Sequence, residues 1–96
     1  MAFQLTVQAE EDMVGIAEAG FRVFGETEAL SYHQQLFEMF ELIAANPYMA
    51  RERNEITPPV RVHPFKAHLI IYVLTESDEV LIVRIRHSHE DWMEGP

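Results

Sequence analysis

One run of seven residues, 68–74, most constrains how this chain can fold. It reads His-Leu-Ile-Ile-Tyr-Val-Leu, which is almost unbroken in its apolar character and rich in β-branched and aromatic side chains. This composition is typical of a strand. Because successive side chains of a strand point to opposite faces of a sheet, this strand is apolar on both faces. It therefore predicts a central strand that needs a cover on each side.

Two further segments predict the strands on either side of this central strand. Residues 60–63 alternate apolar and polar side chains, and residues 80–86 form a third strand-like run after a polar turn at 76–79. Together with the central strand they predict an antiparallel meander. Residues 3–7 at the amino terminus alternate in the same way and predict one more short strand.

The segment between the first strand and the meander predicts a hairpin of two helices. The acidic residues at 10–12 suit the positive end of a helix dipole, so the first helix should begin near residue 8 or 9 and stop at Gly25 with a positive φ. Thr27 is predicted to cap the second helix. That helix should end at Asn46, because a residue that precedes a proline is pushed out of the α region.

These elements predict the fold class. Residues 48–59 contain two consecutive prolines and no period, and they are predicted to be a loop. The order is typical of an α+β domain in which an N-terminal strand and an antiparallel helical hairpin pack on an antiparallel sheet. A chain of 96 residues with 48% hydrophobic content closes one core, so residues 1–96 are predicted to be a single domain. Two helices leave little chain for the second sheet face, and we expect a partner segment to cover it.

Charge and composition exclude several classes of function. The net charge of −9 argues against broad, sequence-independent nucleic-acid binding. Acidic residues dominate the chain through residue 46, where Arg22 is the sole cation, and the other basic residues follow from residue 51 onward. The chain has no cysteine, no signal-like amino terminus and no run of membrane-spanning length, which predicts a cytoplasmic protein without membrane association. No pair among its five histidines has the spacing of a zinc motif, so we expect neither a metal nor a cofactor.

Three arginines are predicted to gather on the exposed face of the sheet. Strand alternation places Arg84 and Arg86 on one face of the last strand, and Arg61 alternates in the same way in the first strand of the meander. The apolar residues assigned to the opposite face of the last strand are Leu81, Val83 and Ile85. A solvated outer face is the simplest interpretation. We favour a binding surface, because a basic sheet face in an acidic protein needs a reason.

Three segments carry a resemblance to a known family. Residues 63–72 resemble the proline-containing turn and aliphatic-aromatic strand of ParE-type toxins in the RelE/ParE superfamily, and residues 83–92 resemble their terminal strand and its ending. Residues 37–47 resemble the second helix of the family with its Asn-Pro stop. Ser88 and His89 depart from the small and basic residues common in that ending, and the chain is more acidic than is usual for the family.

The resemblance implies a function as well as a fold. It implies the toxin of a type II toxin–antitoxin system that inhibits DNA gyrase without catalysis of its own. It also implies a ParD-like antitoxin as partner, in a hetero-oligomer of two toxins with two antitoxins or higher, and no sequence-specific binding of nucleic acid. Two alternatives stay open. One is a ribosome-dependent messenger RNA endoribonuclease of RelE type, and the other is a non-toxic antitoxin-binding module.

Each of these functions predicts its own set of residues. The residues predicted to contact the target are Arg61, Arg84, Arg86, His87, Asp91 and Trp92. The residues predicted to contact an antitoxin on the second sheet face and the hairpin are Leu36, Phe40, Leu69, Ile71 and Val73. In the ribonuclease alternative, Arg61 and Arg84 would stabilise the phosphorane charge and His87 would transfer a proton.

Overall fold

A computed structural model describes residues 2–89 of the chain and has the predicted order of elements. The elements are β1 (Phe3–Leu5), α1 (Val7–Phe24), α2 (Glu26–Ala45), β2 (Glu52–Arg53), β3 (Val60–Phe65), β4 (His68–Leu74) and β5 (Val80–His87). The prediction of an α+β fold with a strand, a helical hairpin and a meander is confirmed. Neither helix in this described part is long and apolar enough to cross a membrane.

The sheet has five strands in the order β1-β5-β4-β3-β2. Its β3, β4 and β5 form the predicted antiparallel meander with β4 in the centre. β1 pairs in parallel with β5 and makes the sheet mixed, whereas the prediction named an antiparallel sheet and gave the N-terminal strand no place in it. β2 was also missed, because its two residues lie inside the predicted loop and pair with only two residues of β3.

The helix ends follow local chemistry. Thr6 caps α1 by accepting a hydrogen bond of 3.0 Å from the Ala9 amide, so the helix begins at Val7, slightly earlier than predicted. Gly25 ends α1 with the predicted positive φ, 88°. The prediction that Thr27 caps α2 is wrong, because α2 begins at Glu26 directly after this glycine and has no side-chain cap. α2 ends before Asn46, as predicted.

The main core lies between the helices and one face of the sheet. α2 contributes Leu36 and Phe40, whose side chains are 0% exposed, and β4 contributes the fully buried Tyr72. The Tyr72 hydroxyl donates a hydrogen bond of 2.9 Å to the Pro47 carbonyl, which holds the segment after α2 against this end of the sheet. Burial of large apolar and aromatic side chains at this interface is the main stabilising contribution to a domain of this size.

The second sheet face has a smaller core of its own. Ile56, from the segment between β2 and β3, packs there against Val60, Val62 and Ile71. The chain therefore covers part of this face itself, with a segment that the prediction had assigned to an open loop. A loop without a hydrophobic period gave no sign in the sequence that one of its residues packs on the sheet.

A register shift in the β4–β5 pair changes which face each β5 residue occupies. The shift lies between Ile71 and Tyr72 of β4. As a result Ile85 joins the main core beneath the helices, whereas Val83 packs against the second-face core. The predicted common face for Leu81, Val83 and Ile85 is therefore wrong, because a bulge breaks the period of two on which strand alternation depends.

α1 is fastened to the edge of β5 that β1 leaves uncovered. The Arg84 guanidinium donates to the Asp12 carboxylate through Nε at 2.7 Å and Nη2 at 3.0 Å. The same carboxylate accepts the Ile85 amide at 2.9 Å. Nearer to β1, the Thr6 hydroxyl donates a hydrogen bond of 2.6 Å to the Val83 carbonyl. Side chains of α1 and its cap thus satisfy backbone groups that a neighbouring strand would otherwise pair.

We predict that Asp12→Ala destabilises the fold more than Arg84→Ala. The Asp12 change removes the acceptor of both Arg84 bonds and leaves the Ile85 amide without its carboxylate, which we expect to cost about 2–3 kcal/mol. Arg84→Ala keeps the bond to Ile85, so about 1–2 kcal/mol is expected. Urea unfolding of both variants measures the difference. Equal losses would mean that the contact with the Ile85 amide contributes nothing.

We also predict that Ile56→Ala destabilises the fold by about 2–4 kcal/mol, because it removes a buried side chain from the second-face core. Its exposed neighbour Thr57 provides the control, since Thr57→Ala should change the free energy of unfolding by no more than about 0.5 kcal/mol. Thermal and urea unfolding give both values. A loss below 1 kcal/mol at Ile56 would contradict the packing of this segment on the sheet.

Candidate functional site

Arg61 lies on the helix side of the sheet, away from the predicted exposed face. It pairs across β3 and β4 with Tyr72, whose side chain is in the main core. Its Nη1 donates a hydrogen bond of 2.6 Å to the Ala50 carbonyl, and its guanidinium lies 5.0 Å from the centroid of the Tyr48 ring. Arg61 therefore holds the segment that follows α2 against the sheet.

Arg84 and Arg86 do share one side of β5 by register, because they lie opposite Ile71 and Leu69 of β4. The Arg84 guanidinium, however, is bound at the strand edge by Asp12. Arg86 stays beside Leu69, which packs on the second-face core. The predicted convergence of Arg61, Arg84 and Arg86 on one exposed face is thus wrong, since the three arginines lie in three different surroundings.

His87 belongs to a cluster of aromatic residues at the end of the sheet. It lies opposite His68, and their ring centroids are 5.5 Å apart. His68 Nδ1 shares a hydrogen bond of 2.7 Å with the Tyr32 hydroxyl of α2. On the other side, the His89 amide donates to His87 Nδ1 at 3.2 Å. Burial raises the pKa of the Tyr32 phenol above its ordinary value, so the hydroxyl keeps its proton in this contact.

Sequence reasoning identified His87 but missed His68 and Tyr32. The pairing of His68 with His87 follows from the register of two predicted strands, and a residue-by-residue alignment of the meander would have found it. Tyr32 gave no comparable signal. It lies in the middle of α2 and reaches His68 only because the hairpin folds over this end of the sheet.

The residues of the predicted ribonuclease site are not assembled. Arg61 lies level with Tyr72, whereas His87 lies level with His68, four residues further along β4. At the rise of a strand this separates them by about 13 Å along the sheet, and a further strand lies between them. Within residues 2–89 there is also no group of three or more histidine or acidic side chains arranged to hold a metal ion.

A groove lies between the helical hairpin and the histidine end of the sheet. Its volume is about 690 Å³. Small residues of α1 form much of its wall, among them Gly15, Ala19 and Gly20, and the exposed Phe24 stands at its outer end. The residues on the sheet side of the groove are Lys66, Ala67, His68, Ile85 and His87. A sequence signal for this groove was Gly20, a glycine on the otherwise apolar stripe of α1.

The residues predicted to contact an antitoxin fall into two groups. Leu36, Phe40 and Ile71 are each 0% exposed, so they are core residues and offer no contact surface. The prediction is wrong for these three because an apolar helix stripe, in the case of Leu36 and Phe40, and a doubly apolar strand, in the case of Ile71, mark buried faces and do not distinguish them from an interface. Leu69 and Val73 are half-buried at the margin of the second-face core. Asp91 and Trp92, predicted to contact the target, lie outside the described residues.

Comparisons with known proteins agree with this fold. Toxin ParE of Escherichia coli is 26% identical over 92 residues, which cover 96% of this chain and 89% of that protein. Toxin ParE1 of Mycobacterium tuberculosis is 26% identical over 89 residues, with 93% of this chain and 91% of that protein covered.

A solved structure described as a chromosomal ParDE TA system from P. aeruginosa has a similar fold. It superimposes with a TM-score of 0.75 at 22% identity, over 91% of this chain and 95% of that chain. The family model described as the ParE toxin of the type II toxin–antitoxin system, parDE, matches residues 3–92. Because this match spans nearly the whole sequence, the chain belongs to the ParE toxin family of type II toxin–antitoxin systems.

Proposed function

We propose that this chain is a toxin that inhibits DNA gyrase by binding it, and that a ParD-like antitoxin neutralises it in the cytoplasm. The observation that carries the proposal is the match of the ParE family model over residues 3–92. Gyrase as the target and the antitoxin as the partner are what membership of this family implies for the chain.

The geometry supports binding over catalysis. Cleavage of RNA needs an acid, a base and cations within reach of one phosphate. The Arg84 guanidinium donates to the Asp12 carboxylate at the edge of β5. The Arg61 guanidinium donates to the Ala50 carbonyl on the helix side of the sheet. The separation of Arg61 from His87 across β4, and the engagement of Arg84 by Asp12, favour a surface that recognises a partner over one that transfers protons.

Arg86 and His87 are the predicted target contacts that we retain among the described residues. Both are half-buried at the end of β5, and strand alternation presents Arg86 beside Leu69 on one face and His87 beside His68 on the other. Arg61 and Arg84 are assigned to the fold by their bonds with Ala50 and Asp12. An arginine at the centre of an interface commonly contributes more to binding than its neighbours.

We predict that Arg86→Ala weakens gyrase inhibition about five- to thirty-fold, and His87→Ala by no more than this, because each removes one contact among several. A supercoiling assay with purified gyrase measures both, and an SOS reporter at matched protein levels measures the effect in cells. Arg51→Ala is the matched control, since the Arg51 side chain is 73% exposed and forms a long ion pair with Glu55 and a hydrogen bond of 3.5 Å to the Glu52 carbonyl.

The ribonuclease alternative predicts a different pattern of results. Loss of a general acid or base should reduce the rate of cleavage about 10²–10⁴-fold, so His87→Ala alone would relieve growth arrest. Cleaved messenger RNA without an SOS response, abolished by that change, would replace gyrase inhibition with RNA cleavage. Growth without arrest in cells that express the wild-type chain would favour the non-toxic antitoxin-binding module.

We further predict that a small protein encoded by the adjacent gene neutralises this chain. The free chain exposes Val23 and Phe24 at 68% and 71%, and a partner that covers such side chains stabilises the folded state. Expression alone should arrest growth or yield aggregates. Co-expression should give a soluble hetero-oligomer of two toxins with two antitoxins or higher, measured by light scattering. A harmless, well-behaved monomer at high concentration without any partner would contradict the prediction.

A further inference from the structure

The helical hairpin carries a second apolar surface, on the flank that faces away from the groove. Five large apolar side chains there are between 38% and 66% exposed, and we name them the outer stripe: Val7, Val14 and Phe21 on α1, and Leu30 and Phe37 on α2. None of the five lines the groove. Residues that are seven apart on a helix lie almost in line, so each helix contributes one row to this surface.

The groove and the outer stripe lie on opposite flanks of the hairpin. At 3.6 residues per turn, the groove residue Val23 lies about 180° round α1 from Val14. On α2, the groove residue Gln35 lies about 160° round the helix from Phe37. A molecule that is seated in the groove therefore need not touch the outer stripe.

Packing within the chain accounts for only part of the outer stripe. α1 already has its buried row, which includes Ala9 and Met13, and an amphipathic helix normally turns polar side chains to solvent. A second apolar row on the solvent side indicates a surface that a partner buries. Phe37 is already held in place, since its ring centroid lies 5.5 Å from that of the buried Phe40 and 6.3 Å from that of Phe3. A side chain that is ordered before binding loses little conformational entropy when a partner covers it.

Acidic side chains border the outer stripe on both helices. The bordering glutamates, each four residues from a member of the outer stripe, are Glu10, Glu18, Glu26 and Glu41. No ion pair within residues 2–89 engages any of the four. The surface is thus apolar along its middle and negative at its borders. A second copy of this chain is disfavoured as the occupant, because it would bring one set of glutamates against the other.

A protein surface that is both apolar and basic is the complement of the outer stripe. An enzyme that acts on DNA has basic surface, because lysines and arginines neutralise the phosphate backbone. We propose that the outer stripe binds such a surface on the gyrase target, with apolar side chains of the target against Val14 and Phe37 and with its lysines or arginines against the bordering glutamates. The inference rests on the proposed function and adds the surface that makes the main contact, beyond Arg86 at the end of β5.

Val14→Gln tests the apolar part of the outer stripe. Glutamine favours a helix interior at least as well as valine does, so the melting temperature should not fall. We expect inhibition of supercoiling by purified gyrase to weaken about ten-fold. Leu42→Gln is the matched control, because Leu42 is 46% exposed and lies about 140° round α2 from Phe37. Its inhibition should stay within about two-fold of wild type. Equal inhibition by the wild-type chain and Val14→Gln would overturn the inference.

Two pairs of glutamates test the charged borders. Glu10→Gln with Glu18→Gln should weaken inhibition about ten-fold at low salt, and the difference from wild type should shrink as salt is raised. Glu55→Gln with Glu76→Gln makes the same change in net charge outside both helices, and it should alter inhibition by about two-fold or less. Equal effects of the two pairs would mean that only net charge matters and would overturn the inference.

Growth arrest separates this inference from the proposed function. A wild-type chain without effect on purified gyrase rejects the proposed function. Growth arrest in cells then tests the outer stripe against the actual target: relief by Val14→Gln but not by Leu42→Gln supports it, and arrest by both variants overturns it. A wild-type chain that neither arrests growth nor inhibits gyrase overturns both.

Two further measurements test other occupants of the outer stripe. We expect Val14→Gln and Leu42→Gln to bind the protein of the adjacent gene within about two-fold of wild type, measured by calorimetry. Loss of that binding in Val14→Gln alone would assign the outer stripe to the antitoxin and overturn the inference. Light scattering of the free chain tests self-association, and a wild-type dimer that Val14→Gln converts to monomer would also overturn it.

Discussion

The carboxylate of Asp12 is the contact on which much of this structure depends. β1 pairs with β5 only as far as Ile82, and beyond that point the edge of β5 has no neighbouring strand among the described residues. Asp12 closes this edge by accepting from Arg84 and from the Ile85 amide. The same contact fixes α1 over the sheet. The groove lies directly beside it, since Asp12 and Ile85 are both among the residues that line the groove.

This arrangement also decides which charges are available to a partner. An arginine that a nearby carboxylate holds through two hydrogen bonds has lost most of its reach as a recognition group. Arg84 is in this position, and Arg61 is held in a similar way by the Ala50 carbonyl and the Tyr48 ring. The third arginine, Arg86, lies beside Leu69 at the second-face core. Basic residues near each other in the sequence thus do not form one basic surface when the fold places them in different surroundings.

Local signals in the sequence predicted most of the fold and little of the site. The stop before Asn46, the positive φ of Gly25 and the central strand at 68–74 depend on steric rules and on composition, which the sequence states directly. The prediction of a Thr27 cap was wrong because a single glycine links the helices and leaves no room for a separate capping residue. The prediction of which β5 residues share a face was wrong because a bulge shifts the register, and the bulge depends on pairing with β4. Tyr32 and Asp12 depend on tertiary contacts, which no local pattern encodes.

His87 lies where the end of β5 meets the groove beside the hairpin. Its ring meets the His68 ring edge-on, with the centroids 5.5 Å apart, and His68 in turn shares a hydrogen bond with the Tyr32 hydroxyl of α2. Arg86 is the preceding residue, but strand alternation turns its side chain to the opposite face, beside Leu69. The end of β5 therefore offers different chemistry to the two sides of the sheet, and the helical hairpin lies over only one of them.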